Sequence, residues 1–253
     1  MIRLLSCLVL PWLLLASAPV VAQDQAYDNV VIVLDASGSM DAQFANSQIS
    51  RMQAAKQALH QVLAQLPDTT HVGLLVFSGA RIPDPWVYPL GPLDLDMLKT
   101  ALLPVQPDGG TPLGDYIKQG ADRLLQERKA QHGYGSYRLL VVTDGEASDQ
   151  DLVDTYTPDV ISRGLTLDVI GVDMQADHTL ERSAHSYQGA ADPQALVRAV
   201  GQVFAEVSFS DGDAAGRDAF GFLDGLPDPF AMALLRYLSE DYGNHPIGDR
   251  PGR

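Results

Sequence analysis

Three oxygen-bearing side chains stand at alternate positions in the run Asp35-Ala36-Ser37-Gly38-Ser39-Met40, directly after the apolar stretch Val30-Val31-Ile32-Val33-Leu34. The stretch reads as a buried strand, so an acid and two hydroxyls emerge together at its carboxyl end. Oxygen donors in a tight loop suit a hard divalent cation such as Mg²⁺, and not a metal that prefers thiolate or imidazole. In an open α/β sheet, ligands bind outside the carboxyl ends of the strands, where this run lies. Two distant segments carry matching chemistry. Thr111 sits in the turn Gly109-Gly110-Thr111-Pro112-Leu113-Gly114, and Asp144 follows the strand-like stretch Arg138–Val142 in Thr143-Asp144-Gly145-Glu146. The glycines suit a backbone that bends closely around an ion.

These segments can meet only if the chain between them alternates strand and helix. Val72–Phe77 reads as a second buried strand, and Arg81–Leu90, with its three prolines, as an edge strand or hairpin. Ile49, Met52, Ala55, Leu59, Val62, Leu63 and Leu66 recur at helical spacing and are closed by Pro67-Asp68. A short helix is expected around Asp94–Leu103. Thr111-Pro112 reads as the cap and first residue of a helix that buries Leu113, Ile117, Ala121, Leu124 and Leu125. Helix, strand, short segment and helix follow at Asp151–Ser162, Leu165–Val172, Ser186-Tyr187 and Pro193–Val207. The expected fold is one α/β domain over residues 28–207, doubly wound around a mostly parallel sheet with one antiparallel edge strand. Residues 208–253 read as a linker, including the polar Ser210-Asp211-Gly212-Asp213, and a short helical tail. That tail would start at Asp228-Pro229, share Phe230, Leu234, Tyr237 and Leu238 on one face, and end in ten loose residues.

Asp35, Ser37, Ser39, Thr111 and Asp144 together fill the pattern Asp-x-Ser-x-Ser, distant Thr, strand-closing Asp. On these residues the chain resembles a von Willebrand factor type A domain, of bacterial extracytoplasmic type, with a complete metal-ion-dependent adhesion site. The resemblance covers roughly residues 28–207 and implies a Rossmann-like fold. It also implies an Mg²⁺ or Mn²⁺ held by Ser37, Ser39 and, in some states, Thr111, with Asp35 and Asp144 contributing directly or through water. One coordination position would stay open for an acidic group of a partner. Ca²⁺ also accepts oxygen ligands and stays among the candidates. Plainer readings exist for each residue. Asp35 and Ser37 could cap the following turn, Thr111 a helix, and Asp144 could form a turn before Gly145. Asp108, Asp115 and Glu146 read as solvated charge or as support for the ligands.

Composition narrows the function classes. The 253 residues carry a formal charge of −15 and no basic run, so nucleic acid and anionic lipid are repelled. Met1-Ile2-Arg3, the apolar Leu4–Leu15 and the small residues up to Ala22 read as a secretory signal, residues 1–22, cut near Ala22. Its rival is an uncleaved membrane anchor over Leu4–Ala22. Cys7, the only cysteine, lies inside this segment. His60, His71, His132, His178, His185 and His245 show no paired spacing for zinc. There is no Gly-x-Ser-x-Gly elbow, and Ser37 stands where an Asp-based phosphohydrolase would carry its second Asp. Asp211, Asp213, Gly216 and Asp218 hint at a calcium loop but lack the closing Glu.

The expected protein is therefore periplasmic or secreted and non-enzymatic, and its cation captures an Asp or Glu carboxylate of a partner protein. No nucleic acid or small-molecule substrate is expected, and membrane contact only if the N-terminal segment stays uncleaved. Two alternatives stand beside it: an accessory or assembly subunit of an envelope complex with a structural metal, and a metal-dependent hydrolase.

Overall fold

The computed structural model describes residues 27–249 apart from 46, 81, 175–178 and 214–240; residues 206–213 and 241–242 are described by backbone only. The expected signal segment and the apolar face of the tail helix lie outside the described residues. The first strand, β1 (Asp28–Ala36), is buried along its whole length. Near-continuous Val, Ile and Leu are what a central parallel strand covered on both faces requires. It is followed by α1 (Arg51–Leu63), β2 (Thr70–Ser78), β3 (Trp86–Pro92), α2 (Leu95–Leu102) and α3 (Leu113–Ala130). Then come β4 (Ser136–Thr143), α4 (Gln150–Ser162), β5 (Thr166–Val172), β6 (Ser186–Ala190) and α5 (Pro193–Asp213).

The six strands lie in the order β3-β2-β1-β4-β5-β6. All neighbours pair in parallel except β2 and β3, so the proline-bearing segment is the antiparallel edge strand expected of it. Alternation along β1 divides the core. Val30, Ile32 and Leu34 face Leu59, Leu98 and Val200 of α1, α2 and α5, while Val31 and Val33 face Ile117, Leu124 and Val160 of α3 and α4. The strand order reverses between β1 and β4. That switch point opens a crevice at the carboxyl ends of the two strands, because the connections leave in opposite directions.

Three expectations change. The segment Ser210–Asp213 is helical backbone of α5, not a linker. Thr111-Pro112 does not start α3 as expected; the helix begins at Leu113, and neither residue caps it with a side chain. The chain's end is not loose throughout, because residues 243–249 return to the α3–α4 face. There Ile247 is fully buried. Arg128 Nε donates to Asn244 Oδ1 at 2.7 Å, Arg163 reaches the carbonyls of His245 and Asp249, and Asp159 Oδ2 accepts the Gly248 N–H at 2.8 Å. The sequence hides this strap because a single apolar residue among Gly, Pro and Asp carries no periodicity.

Two outcomes follow for the strap. Replacing Ile247 by Ala removes a fully buried branched side chain and is expected to lower the unfolding free energy by about 2–4 kcal/mol in urea titration, through lost apolar burial and the cavity left behind. The Asp159 carboxyl lies below its ordinary range: burial alone would raise it, but bonds from Arg163, the Gly248 amide and Ser162 favour the charged form more strongly. A depressed acid stabilises the fold above its unfolded pKa and ceases to do so as pH falls through its folded value. The hydrogen-exchange protection factor of the Gly248 amide should therefore drop in that acid range, and an unchanged profile in Asp159→Asn would refute the assignment.

Candidate metal centre

The switch-point crevice is where four of the five expected residues meet. Asp35, the penultimate residue of β1, is fully buried. Its Oδ1 accepts the Ser37 N–H at 2.7 Å, closing a turn that directs Ser37 back over the strand end. Its Oδ2 accepts the Thr143 hydroxyl at 2.6 Å from the last residue of β4. Burial pushes the Asp35 carboxyl up, the bonds from Ser37 and Thr143 pull it down less strongly, and the nearby Asp144 charge adds to the rise. A cation beside it would reverse that balance.

The hydroxyls stack above this base. Ser37 Oγ lies 3.0 Å from Ser39 Oγ, and Ser39 Oγ donates to Asp144 Oδ1 at 2.7 Å. Ser39 is exposed, whereas the Asp144 side chain has no solvent contact. The turn-forming roles of Asp35 and Ser37 are thus real, and they position oxygen donors at the same time.

Thr111 joins by another route. The loop before α3 is laced to β1 through its backbone: Asp108 N donates to Ala36 O at 2.9 Å and Gly38 N to Gly109 O at 3.1 Å. Gly109 has φ 81°, a left-handed conformation that favours glycine. Gly110 has nothing within 4 Å of an added Cβ, so only one of the two glycines is demanded sterically. Pro112, at φ −77° and ψ 61°, forms an inverse γ-turn in which Leu113 N donates to Thr111 O at 2.8 Å. The first turn of α3 is capped from afar: Asp149 accepts Gly114 N and Asp115 N, each at 3.0 Å. Among the described residues no hydrogen bond ties the Thr111 hydroxyl to the other four, and the residue is half-buried.

Two residues that sequence reasoning did not single out complete the cluster. Arg51, first residue of α1, donates from Nη1 to Asp144 Oδ2 at 2.7 Å and from Nη2 to Asp173 Oδ2 at 2.9 Å. Asp173 follows β5 at a positive φ of 51°. The start of α1 is fixed by a capping box between Ser50 and Gln53, which aims Arg51 at the crevice. Burial disfavours the charged guanidinium, and its bonds to the Asp144 and Asp173 carboxylates more than offset this. Asp108 and Asp115 are exposed; Glu146 is exposed and accepts from Thr179 Oγ1 at 3.2 Å. Among the described residues no three His, Cys, Asp or Glu side chains are grouped so as to hold a metal. A cation here would rely on hydroxyls.

Replacing Asp149 by Ala should cost about 1–2 kcal/mol of stability in chemical denaturation, because two helix-end amides lose their acceptor. If Asp149 served its own helix, α4, exchange at the Gly114 and Asp115 amides would not change.

Comparison with known proteins matches the same architecture. No curated protein matches the chain. Among solved structures it is similar to a von Willebrand factor type A protein from Catenulispora acidiphila, at 26% identity and TM-score 0.56, covering 72% of this chain and 43% of that one. It is similar in fold to the pilus adhesin SpaC from Lactobacillus rhamnosus GG, at 16% identity and TM-score 0.59, covering 73% and 31%. The von Willebrand domain of the type V pili tip protein Mfa5 from Porphyromonas gingivalis follows at 12% identity and TM-score 0.50, covering 74% and 96%. The chain thus spans less than half of the first two. Among the described residues no helix is long and apolar enough to cross a membrane. A family model for the von Willebrand factor type A domain matches residues 29–206, and the chain belongs to that family.

Proposed function

We propose that this chain is an exported, non-enzymatic protein-binding module, periplasmic or secreted. In this reading Ser37, Ser39, Thr111, Asp35 and Asp144 hold a divalent cation, Mg²⁺ foremost, that captures an acidic side chain of a partner protein. The observation that carries the reading is the 3.0 Å separation of the Ser37 and Ser39 hydroxyls over two buried carboxylates. Adjacent ligands of an octahedral Mg²⁺, each at about 2.1 Å, lie about 3 Å apart. Each hydroxyl keeps a lone pair beyond its hydrogen bond. The ion would supply Lewis acidity, since neutral hydroxyls leave it electrophilic enough to attract a further carboxylate.

The chain's own groups divide the work. Asp35 fixes the turn that carries Ser37, Asp144 orients Ser39, and the exposure of Ser39 gives a partner access from solvent. Two of the fold neighbours are a pilus adhesin and a pilus tip protein, which agrees with a binding role outside the cytoplasm.

Mg²⁺ at about a hundred times its Kd should raise the unfolding free energy by about 2.7 kcal/mol. That gain, measured against each chain's own metal-free stability, should vanish in Ser39→Ala, whose apo form also loses the hydroxyl bond to Asp144. A pull-down from envelope extract in Mg²⁺ should recover a partner that EDTA and Ser39→Ala both release. Capture that persists in either condition rules out the metal bridge, and phosphoester turnover lost in Asp144→Ala would overturn the non-enzymatic reading.

A further inference from the structure

Arg51 and Asp173 belong to no part of the oxygen pattern, yet they close one side of the crevice. The Asp144 carboxylate is shared: Oδ1 takes the Ser39 hydroxyl at 2.7 Å and Oδ2 takes the Arg51 guanidinium at 2.7 Å. Asp173 anchors the far side of that guanidinium through both Nη2 at 2.9 Å and Nε at 3.3 Å. The fork is therefore held at two carboxylates that follow different strands, and Arg51 cannot swing away without releasing Asp144 Oδ2 and the Asp173 carboxylate together.

Resting on the metal-binding reading above, we propose that Arg51 is the positioning residue that sets ion selectivity: by holding Asp144 Oδ2 it allows this carboxylate only one oxygen toward the ion, so Mg²⁺ is taken in preference to Ca²⁺. The physical reason lies in the two ions' demands. Ca²⁺ takes six to eight oxygens at longer range and favours bidentate carboxylates, whereas Mg²⁺ requires compact octahedral geometry and tolerates single-oxygen contacts. A carboxylate pinned at one oxygen withholds what Ca²⁺ gains most from. Asp173 acts one step further out, by keeping the guanidinium in place. Lysine at position 51 would supply the charge as a single point and could not bridge both carboxylates.

The test is isothermal titration of the full chain with Mg²⁺ and with Ca²⁺, read as the ratio of the two Kd values, with far-UV circular dichroism as the check on folding. The parent chain should favour Mg²⁺. In Arg51→Gln the ratio should move toward Ca²⁺ on the order of tenfold, and both ions should bind more tightly because one positive charge has left the crevice. Arg51→Gln combined with Asp173→Asn keeps the formal charge of the crevice. It should lose the selectivity without gaining the affinity, which separates positioning from charge. Arg51→Lys, the variant that best preserves folding, should fall between. Ions that bind the parent chain with a ratio unmoved in all three variants overturn the inference and leave the metal site standing. Failure of the parent chain to bind Mg²⁺, Mn²⁺ or Ca²⁺ overturns the metal-binding reading itself, and the selectivity proposal with it.

Discussion

A carboxylate with no solvent contact at the end of a fully buried strand is expensive unless its oxygens are satisfied, and Asp35 is satisfied from two directions. The Ser37 amide comes from its own loop, whereas the Thr143 hydroxyl comes from the neighbouring strand. The second bond exists only because β1 and β4 are adjacent, at the point where the strand order reverses. Register, topology and site are therefore coupled. A slip of one residue between these strands would present Val142 to Asp35 and turn Thr143 away.

From that base the crevice is assembled out of elements far apart in sequence. The loop after β1 brings two hydroxyls, β4 brings Asp144, β5 brings Asp173, and the first residue of α1 brings the guanidinium that joins the last two. The Thr111 loop is fastened by backbone hydrogen bonds and by the distant cap from Asp149. Strands and short hydrogen bonds hold these oxygen-bearing groups in fixed relation at one edge of the sheet. Residues 243–249 close the α3–α4 face by a different device, one buried isoleucine flanked by arginine and aspartate contacts.

The formal charge of −15 bears on how such a surface could take an acidic partner. The long-range field of the chain opposes a negatively charged ligand, so attraction must come from a concentrated positive centre at short range. A divalent ion held mainly by neutral hydroxyls is such a centre. The guanidinium of Arg51, facing inward between two carboxylates, is not.

Much of this was legible in the residues alone. The apolar run before Asp35, the alternation of strand and helix, and the prolines of the edge strand each follow from local physics: burial on both faces, helical periodicity, and the missing amide of proline. The convergence of Asp35, Ser37, Ser39 and Asp144 was legible too, because parallel strands deliver their carboxyl ends to one edge. The loop that carries Thr111 is bonded to the end of β1 through its backbone, but Thr111-Pro112 does not cap α3, since Pro112 forms an inverse γ-turn and Asp149 does the capping. Asp149 precedes its own helix and reads locally as its cap; only the packing of α3 against α4 turns it elsewhere. Arg51 and Asp173 look like ordinary helix and loop charges until α1 and β5 are brought together. Ile247 looks like a stray apolar residue until α3 and α4 make room for it. The amino-acid sequence alone determined which oxygen-bearing groups are candidates for a cation and which edge of the sheet receives their strands, because those follow from neighbours in the chain. Which charges pair, which helix end is capped and which residue plugs the surface were decided by the tertiary structure, because each depends on distances between segments that local physics leaves free.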